Sequence, residues 1–99
     1  MYTISYRNVL HADKQVHDFE QWLSTAWDVQ KNWGADSVDY ISMQDRNSHV
    51  CICRYQVTDI NRWNRCNTGP EAVEVIQALG EIVDITRTSM KVTITSLNM

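Results

Sequence analysis

The segment from Asp13 to Ala35 is the longest continuous periodic stretch in the chain, and it constrains the fold most. Placed on a helix at about 100° per residue, its large apolar side chains fall in one broad arc. The arc consists of Val16, Phe19, Trp22, Leu23, Ala26, Trp27, Val29 and Trp33. We predict a single helix here, with Asp13 as its N-cap and Gly34 as a left-handed residue at its end. Side chains this large need a broad surface, so we expect the helix to cover a β-sheet.

One polar residue interrupts the apolar arc. Gln30 lies inside it, close to Phe19 on the helical projection. A buried amide needs a hydrogen-bond partner. Gln30 therefore either satisfies a buried group of the protein or faces a ligand cavity, and its environment decides between a scaffold helix and a binding helix.

Segments that alternate between two faces indicate the strands of that sheet. The predicted strands are Tyr2–Leu10, Val38–Gln44, His49–Val57 and Ile85–Leu97. Turn-forming residues at positions 45–48 predict that the second and third strands form a hairpin. The third strand is apolar on both faces, which favours a sheet that is covered on both sides.

A second helical region follows the third strand. Asp59 is placed to cap a short helix from Ile60 to Cys66, which carries Trp63. The sequence Thr68-Gly69-Pro70-Glu71 then restarts the helix with capping-box spacing. A broken helix exposes backbone N–H groups and leaves a gap, so Trp63 is predicted either to border a pocket or to plug the core.

The resulting order of elements is β-α-β-β-α-β within one domain of 99 residues. Short connections and right-handed crossovers favour a four-stranded antiparallel sheet with both helices on one face. We therefore predict an α+β fold of the ferredoxin-like type for residues 1–99.

Composition excludes several classes of function. The net charge is −3 and the basic residues are scattered singly, which argues against a nucleic-acid partner. No apolar run approaches the roughly 20 residues that span a membrane. Three cysteines without a secretion signal favour free thiols and a cytoplasmic location.

One strand carries His49, Cys51 and Cys53 on the same face, which raises the possibility of a zinc site. Neighbours on one face of a strand lie about 7 Å apart, too far for two thiolates to share a metal or form a disulfide. We interpret Cys51 and Cys53 as small buried hydrophobic residues and predict no metal.

The order and lengths of the elements resemble the dimeric α/β-barrel superfamily, whose best-known members are antibiotic-biosynthesis-monooxygenase-type domains. The resemblance rests on the opening strand, the Phe- and Trp-bearing helix, the hairpin, Trp63 in a broken second helix and the long last strand. It implies a homodimer whose sheets pack face to face, with a ligand cavity between sheet and helices. The apolar residues Val50 and Ile52, assigned to the face away from the helices, agree with such a dimer.

This superfamily includes cofactor-independent monooxygenases, haem-degrading enzymes, lactone isomerases and proteins without known chemistry. In the haem-degrading branch, an Asn on the first strand, a Trp in the second helical region and a later His hold the cofactor. Asn8 and Trp63 suit the first two places, but Ala72-Val73-Glu74 stands where the His belongs. Without an axial imidazole we predict no haem and no other cofactor.

Our first hypothesis is a protein that binds a largely apolar molecule, either an acyl chain or an aromatic compound. The candidate ligand-binding residues are Tyr6, Asn8, Trp27, Gln30, Tyr55 and Trp63. The alternative is a cofactor-independent monooxygenase or isomerase, which needs a base within reach of the substrate. His49 or Glu74 inside the cavity would favour the enzyme. A further alternative is a regulatory or dimerisation module.

Overall fold

The computed structural model describes residues 1–94, which form a sheet with helices packed on one of its faces. The elements are β1 (Tyr2–Val9), α1 (Val16–Gln30), β2 (Ala35–Asp45), β3 (Ser48–Val57), α2 (Ile60–Asn67), a 3-10 turn (Pro70–Ala72), α3 (Val73–Gly80), a second 3-10 turn (Ile85–Arg87) and β4 (Ser89–Ile94). No helix among these residues is both long enough and apolar enough to cross a membrane.

The sheet has four strands in the order β2-β3-β1-β4, and every neighbouring pair is antiparallel. This arrangement confirms the predicted ferredoxin-like fold. The register places Tyr6 of β1 opposite Cys53 of β3, and Cys53 opposite Tyr40 of β2. Because side chains alternate between faces, this row and the rows two residues away from it point towards the helices.

The core lies between this face of the sheet and the helices. Phe19 of α1, Ile4 of β1 and Tyr55 of β3 are buried at its centre. The indole Nε1 of Trp22 donates a hydrogen bond of 3.0 Å to the carbonyl oxygen of Val75. This bond joins α1 to α3, so the two helices form one layer over the sheet.

The predicted N-cap of the long helix is wrong. Helix α1 begins at Val16, and its N-cap is Gln15, which has an extended backbone. The backbone N–H of Gln15 donates to the Asp18 carboxylate at 2.8 Å. In return, the backbone N–H of Asp18 donates to the carbonyl oxygen of Gln15 at 2.9 Å. These two bonds satisfy backbone N–H groups at the start of the helix without Asp13. Asp13 belongs instead to a turn. This turn is closed by a hydrogen bond of 3.0 Å from the backbone N–H of Lys14 to the carbonyl oxygen of His11.

The helix also ends earlier than predicted. Helix α1 stops at Gln30, and a turn leads to Gly34, whose φ of 91° confirms the predicted left-handed conformation. A Cβ atom at Gly34 would lie 2.7 Å from the carbonyl oxygen of Asp59, so only glycine fits. Trp33 leaves the helix but remains buried, with its ring centroid 5.8 Å from that of Trp63. Strand β2 starts directly afterwards, at Ala35, three residues before the predicted start at Val38.

The second helical region is broken, as the sequence predicts. The Asp59 carboxylate accepts the backbone N–H of Arg62 at 3.0 Å and caps α2. After α2 the chain makes the first 3-10 turn and continues as α3. On α3, Val73 is half exposed, whereas Val75 is partly buried against the core.

The last strand is shorter than predicted. Residues 85–87 form a 3-10 turn because the Asp84 carboxylate accepts both the backbone N–H and the hydroxyl of Thr86, at 3.1 and 2.6 Å. Strand β4 starts at Ser89. The predicted continuation of this strand through residues 95–97 lies outside the described residues.

The other face of the sheet carries a mixture of ion pairs and apolar side chains. Arg54 bonds Asp39 through two contacts of 2.8 and 3.0 Å, which join β3 to β2. Val50, expected to be available for a partner, is already fully buried, and Ile52 is partly buried. The exposed apolar side chains of this face belong to β2, where Ile41 is 45% and Met43 is 43% exposed. We call these two residues and Ile52 the outer apolar patch.

Candidate functional site

A cavity of about 160 Å³ lies between the sheet and the helices. Its polar lining consists of Tyr6, Asn8, Gln30, Cys53, Tyr55, Asn67 and Thr88. Its apolar lining consists of Trp22, Trp63, Val75, Ile76, Leu79 and Ile85. The cavity thus draws on β1, β3, all three α-helices and the segment before β4.

The hydroxyl of Tyr6 receives two hydrogen bonds from α2. Trp63 Nε1 donates to it at 3.2 Å, and Asn67 Nδ2 donates at 3.4 Å. Burial raises the pKa of the Tyr6 phenol above its usual value of 10.0, and this effect exceeds the lowering by the bonds from Trp63 and Asn67. Tyr6 is therefore a neutral phenol at physiological pH.

Gln30 both bonds a protein group and borders the cavity. The Tyr55 hydroxyl donates to Gln30 Oε1 at 2.8 Å, and both residues are buried. The Gln30 amide nitrogen has no partner within residues 1–94, and Gln30 is part of the cavity wall. Burial raises the pKa of the Tyr55 phenol well above 10.0, so it keeps its proton for this bond. Helix α1 is therefore one wall of the cavity and not only scaffold.

Asn8 is held by the protein itself. Its Nδ2 donates to the carbonyl oxygens of Tyr6 and Cys51 at 3.3 and 3.4 Å, and to Cys53 Sγ at 3.7 Å. Its Oδ1 accepts the Thr88 hydroxyl at 3.4 Å. Asn8 thus ties the central strands to the segment before β4, and it borders the cavity with its polar atoms already engaged.

Aromatic rings form much of the cavity wall. The rings of Tyr6 and Tyr55 meet edge to face with centroids 5.8 Å apart, and Trp63 lies 4.7 Å from Tyr55. The ring of Trp27 also packs against Tyr55, with centroids 6.4 Å apart, but Trp27 does not line the cavity. Five of the six predicted ligand-binding residues therefore border one cavity, and Trp27 does not.

Three polar wall residues, Cys53, Asn67 and Thr88, are not among the predicted ligand-binding residues, and Asn67 is the one that bonds Tyr6. It follows Trp63 by four positions on α2, so helical geometry places both side chains on the same side. That spacing was visible in the sequence. What was not visible is that α2 extends through Asn67 and turns this side towards β1.

None of the described side chains that line the cavity is charged at neutral pH. Burial raises the pKa of the Cys53 thiol, which is part of the wall, from 9.0 to about 11. His49 is exposed at the hairpin end of β3, and Glu74 lines a separate groove between α1 and α3. The cavity therefore has no side chain of the kind that usually acts as a general base at neutral pH.

The two cysteines on one face of β3 belong to the buried core. Within residues 1–94, no three side chains of the ligating types come close enough together to hold a metal ion. All three cysteines carry free thiols, and Cys51 and Cys53 are buried in the core. They pack there as small side chains, as predicted.

Comparisons with known proteins bear on the fold. No family model matches the chain, and no curated protein matches it significantly. Among solved structures, SnoaB from Streptomyces nogalater, a cofactor-independent oxygenase, matches with a TM-score of 0.71 and 16% identity, over 99% of this chain and 95% of that chain. HapK from Hahella chejuensis matches with a TM-score of 0.71 and 14% identity, over 100% of this chain and 98% of that chain.

A third solved structure carries the same architecture. It is a dimeric protein of unknown function and ferredoxin-like fold from Bacteroides fragilis NCTC 9343, with a TM-score of 0.60 and 9% identity over 93% of both chains. At such low identities the likeness concerns the fold and not the activity. The chain has the ferredoxin-like fold of these solved structures.

Proposed function

We propose that this protein binds a small, neutral, largely apolar molecule in the cavity between sheet and helices. The observation that carries the proposal is the cavity itself, about 160 Å³ in volume and lined mainly by aromatic and aliphatic side chains. An apolar cavity of roughly 150 Å³ accommodates benzene in another protein. A space of this volume suits a molecule with one ring, and larger ligands have to extend out of the cavity.

The absence of charge in the described wall supports a neutral ligand. Moving an ion out of water costs several kcal/mol unless a partner of opposite charge receives it. Tyr6, Tyr55 and Cys53 are the ionisable residues of this wall, and burial raises the pKa of each. None of them offers a charge to a carboxylate or an ammonium group.

The wall favours an aromatic compound over an acyl chain. The ring of Tyr55 already packs edge to face against Tyr6 and in a tilted arrangement against Trp63. Another ring can continue this packing, which contributes about 0.5 to 1.5 kcal/mol per pair beyond burial. An acyl chain gains only from burial, and two aliphatic residues of the wall, Ile76 and Ile85, are themselves exposed.

The test is direct measurement of binding by ligand-observed NMR, with cumene as the neutral probe and benzoate as a charged probe of the same size. We expect cumene to bind and benzoate to bind much more weakly. Val75→Trp fills the cavity and should abolish cumene binding. Val73→Trp is the matched control, because Val73 lies on the same helix but is 50% exposed and outside the cavity wall. Equal binding of both probes, or binding that survives Val75→Trp, would contradict the proposal.

A cofactor-independent oxygenase or isomerase is the second candidate. It is supported by the fold shared with a structure described as a cofactor-independent oxygenase, and by the hydrogen-bond donors in the wall. Such donors can stabilise negative charge that develops on a substrate oxygen. Because the described wall lacks a base, the substrate would have to ionise without help. Oxygen uptake with phenolic ketones that ionise near neutral pH would demonstrate this activity, and its absence would leave the binding function alone.

We further propose that two copies associate through the outer faces of their sheets. Exposed apolar side chains in the outer apolar patch support this, since a partner would remove them from water. The dimeric state of the Bacteroides fragilis protein is consistent with it. A regulatory role would add a functional response to ligand binding, and the oligomeric state measured with and without cumene tests for one.

A further inference from the structure

We infer that Tyr6 recognises the ligand by donating its hydroxyl hydrogen to a ligand oxygen, and that Trp63 and Asn67 set the direction of that hydrogen. This inference rests on the proposed binding function and names the class of ligand. That class is neutral molecules that combine an apolar body with a hydrogen-bond-accepting oxygen, such as a carbonyl group.

The argument starts from the bonding capacity of a phenol. A tyrosine hydroxyl has one hydrogen to donate and oxygen lone pairs that can accept two hydrogen bonds. The lone pairs of Tyr6 are occupied by the N–H groups of Trp63 and Asn67, at 3.2 and 3.4 Å. The hydrogen of Tyr6 cannot point at either donor. It must therefore point in a third direction.

No acceptor within residues 1–94 takes this hydrogen, and Tyr6 is part of the cavity wall. The hydrogen is therefore available to a molecule in the cavity. Pairing it with a ligand oxygen gains the bond, whereas a hydrocarbon would leave a polar hydrogen without a partner in an apolar space. The site thus prefers an oxygen at this point.

The two donors are well placed to hold the phenol in one orientation. Trp63 is buried between the rings of Trp33 and Tyr55, so its indole has little freedom. Asn67 lies one helical turn later, at the last residue of α2. Because both N–H groups approach from the same helix, they leave the other side of the Tyr6 oxygen to the ligand.

Gln30 provides a second donor in the same cavity. Its Oε1 accepts the Tyr55 hydroxyl, whereas its Nε2 has no partner within the described residues. The groups left available are therefore both hydrogen-bond donors, namely the O–H of Tyr6 and the N–H of Gln30. Such a pair favours ligands with accepting oxygens, and the lack of a cationic side chain in the described wall disfavours carboxylates.

The experiment compares acetophenone with cumene, which have the same number of non-hydrogen atoms, the carbonyl oxygen of acetophenone standing where cumene has a methyl group. We expect wild-type protein to bind acetophenone roughly two- to tenfold more tightly than cumene, as for one net hydrogen bond. The preference should disappear in Tyr6→Phe. Asn67→Ala should reduce it by about half, and Asn64→Ala, an exposed position on the same helix, should leave it unchanged.

An NMR signal of Trp63 separates recognition from a merely structural role of Tyr6. Acceptance of the Tyr6 hydrogen by acetophenone polarises the hydroxyl and strengthens the bond it receives from Trp63. The indole N–H proton of Trp63 should therefore shift on adding acetophenone but not cumene. Asn67→Ala keeps the Tyr6 hydroxyl, so its affinities test the inference even if Tyr6→Phe does not fold.

The outcomes distinguish this inference from the proposed function. Equal affinities for acetophenone and cumene in the wild type would overturn the role of Tyr6 and leave the binding function intact. An unchanged preference in Asn67→Ala would overturn the positioning role of Asn67. Failure of both probes to bind would overturn the proposed function and the inference with it.

Discussion

At the scale of single residues, the cavity depends on polar groups that stay uncharged because they are buried. Cys53 shows this most clearly, since its thiol lies in the wall, receives the Asn8 amide at 3.7 Å and is almost fully buried. Burial raises its pKa from the usual 9.0 to about 11. A neutral thiol fits an apolar wall, and a thiolate does not.

The raised pKa of Cys53 predicts a loss of stability at alkaline pH. Between pH 9.0 and about 11, the unfolded chain loses the thiol proton while the folded chain keeps it. The free energy of unfolding therefore falls as pH rises through this range, with a contribution of about 2 to 3 kcal/mol that is fully present below it. Urea unfolding in the presence of a reductant should show a smaller pH-dependent loss in Cys53→Ala. Cys66→Ala, at a partly exposed thiol, is the control, and equal slopes in all three proteins would contradict the prediction.

Several residues of the cavity wall could be named one by one from the sequence. Gln30 was detectable as a polar residue in an apolar arc, and Tyr6 and Asn8 were detectable as polar residues on a strand face that begins with apolar ones. Trp27 was also predicted to bind the ligand, from a helical projection that gives direction but not distance. In the structure Tyr55 is its neighbour, and Trp27 has no place in the cavity wall.

At the scale of elements, the junction between α1 and β2 also positions α2. The carbonyl oxygen of Gly34 accepts the backbone N–H groups of Thr58 and Asp59, at 3.0 and 3.2 Å. Arg62 Nε donates to the carbonyl oxygen of Asn32 at 2.8 Å, beyond the end of α1. These bonds hold the start of α2 against the end of α1, and α2 in turn carries Trp63 to the cavity.

Gly34→Ala should therefore destabilise the protein. A residue with a side chain pays about 1 to 3 kcal/mol for the left-handed conformation, and here its Cβ would also approach the Asp59 carbonyl oxygen to 2.7 Å. We expect a lower urea concentration at the midpoint of unfolding. We also expect weaker cumene binding, because α2 would no longer hold Trp63 in place at the cavity. Gly80→Ala is the control, because its Cβ would meet only the flexible end of the Ile85 side chain at 3.2 Å. A Gly34→Ala protein as stable as Gly80→Ala would contradict this account.

At the scale of the whole molecule, one face of the sheet builds the cavity and the other carries the outer apolar patch. The ion pair between Arg54 and Asp39 joins the two strands that carry the patch, β3 and β2, and the pair between Arg7 and Asp45, at 2.6 Å, joins β1 to β2. Charged pairs of this kind are solvent-exposed and contribute little to stability. Their position on the same face of the sheet is compatible with a polar rim around an apolar contact between two copies.

Ile41→Lys should convert the proposed dimer into a monomer. The substitution places a positive charge in the outer apolar patch. Because a two-fold contact uses the same surface on both copies, the interface would then contain two such charges. Sedimentation equilibrium should give a dimer for the wild type and a monomer for Ile41→Lys. Val29→Lys, which places the same charge on an exposed position of α1, should remain a dimer. A monomeric wild type would contradict the dimer, and a dimeric Ile41→Lys would contradict this choice of face.

The sequence by itself determined the type and order of the elements, because helix and strand periodicity depend on neighbours along the chain. Some local features were equally accessible, as the cap at Asp59 and the left-handed Gly34 show, whereas the predicted cap at Asp13 was wrong. Only the tertiary structure decided where α1 ends and which polar side chains meet. Tyr6 and Asn67 are far apart along the chain, and their contact depends on how α2 packs over β1. Hydrophobic patterning specifies that a face is buried but not which atoms it meets, and the cavity is a property of that packing.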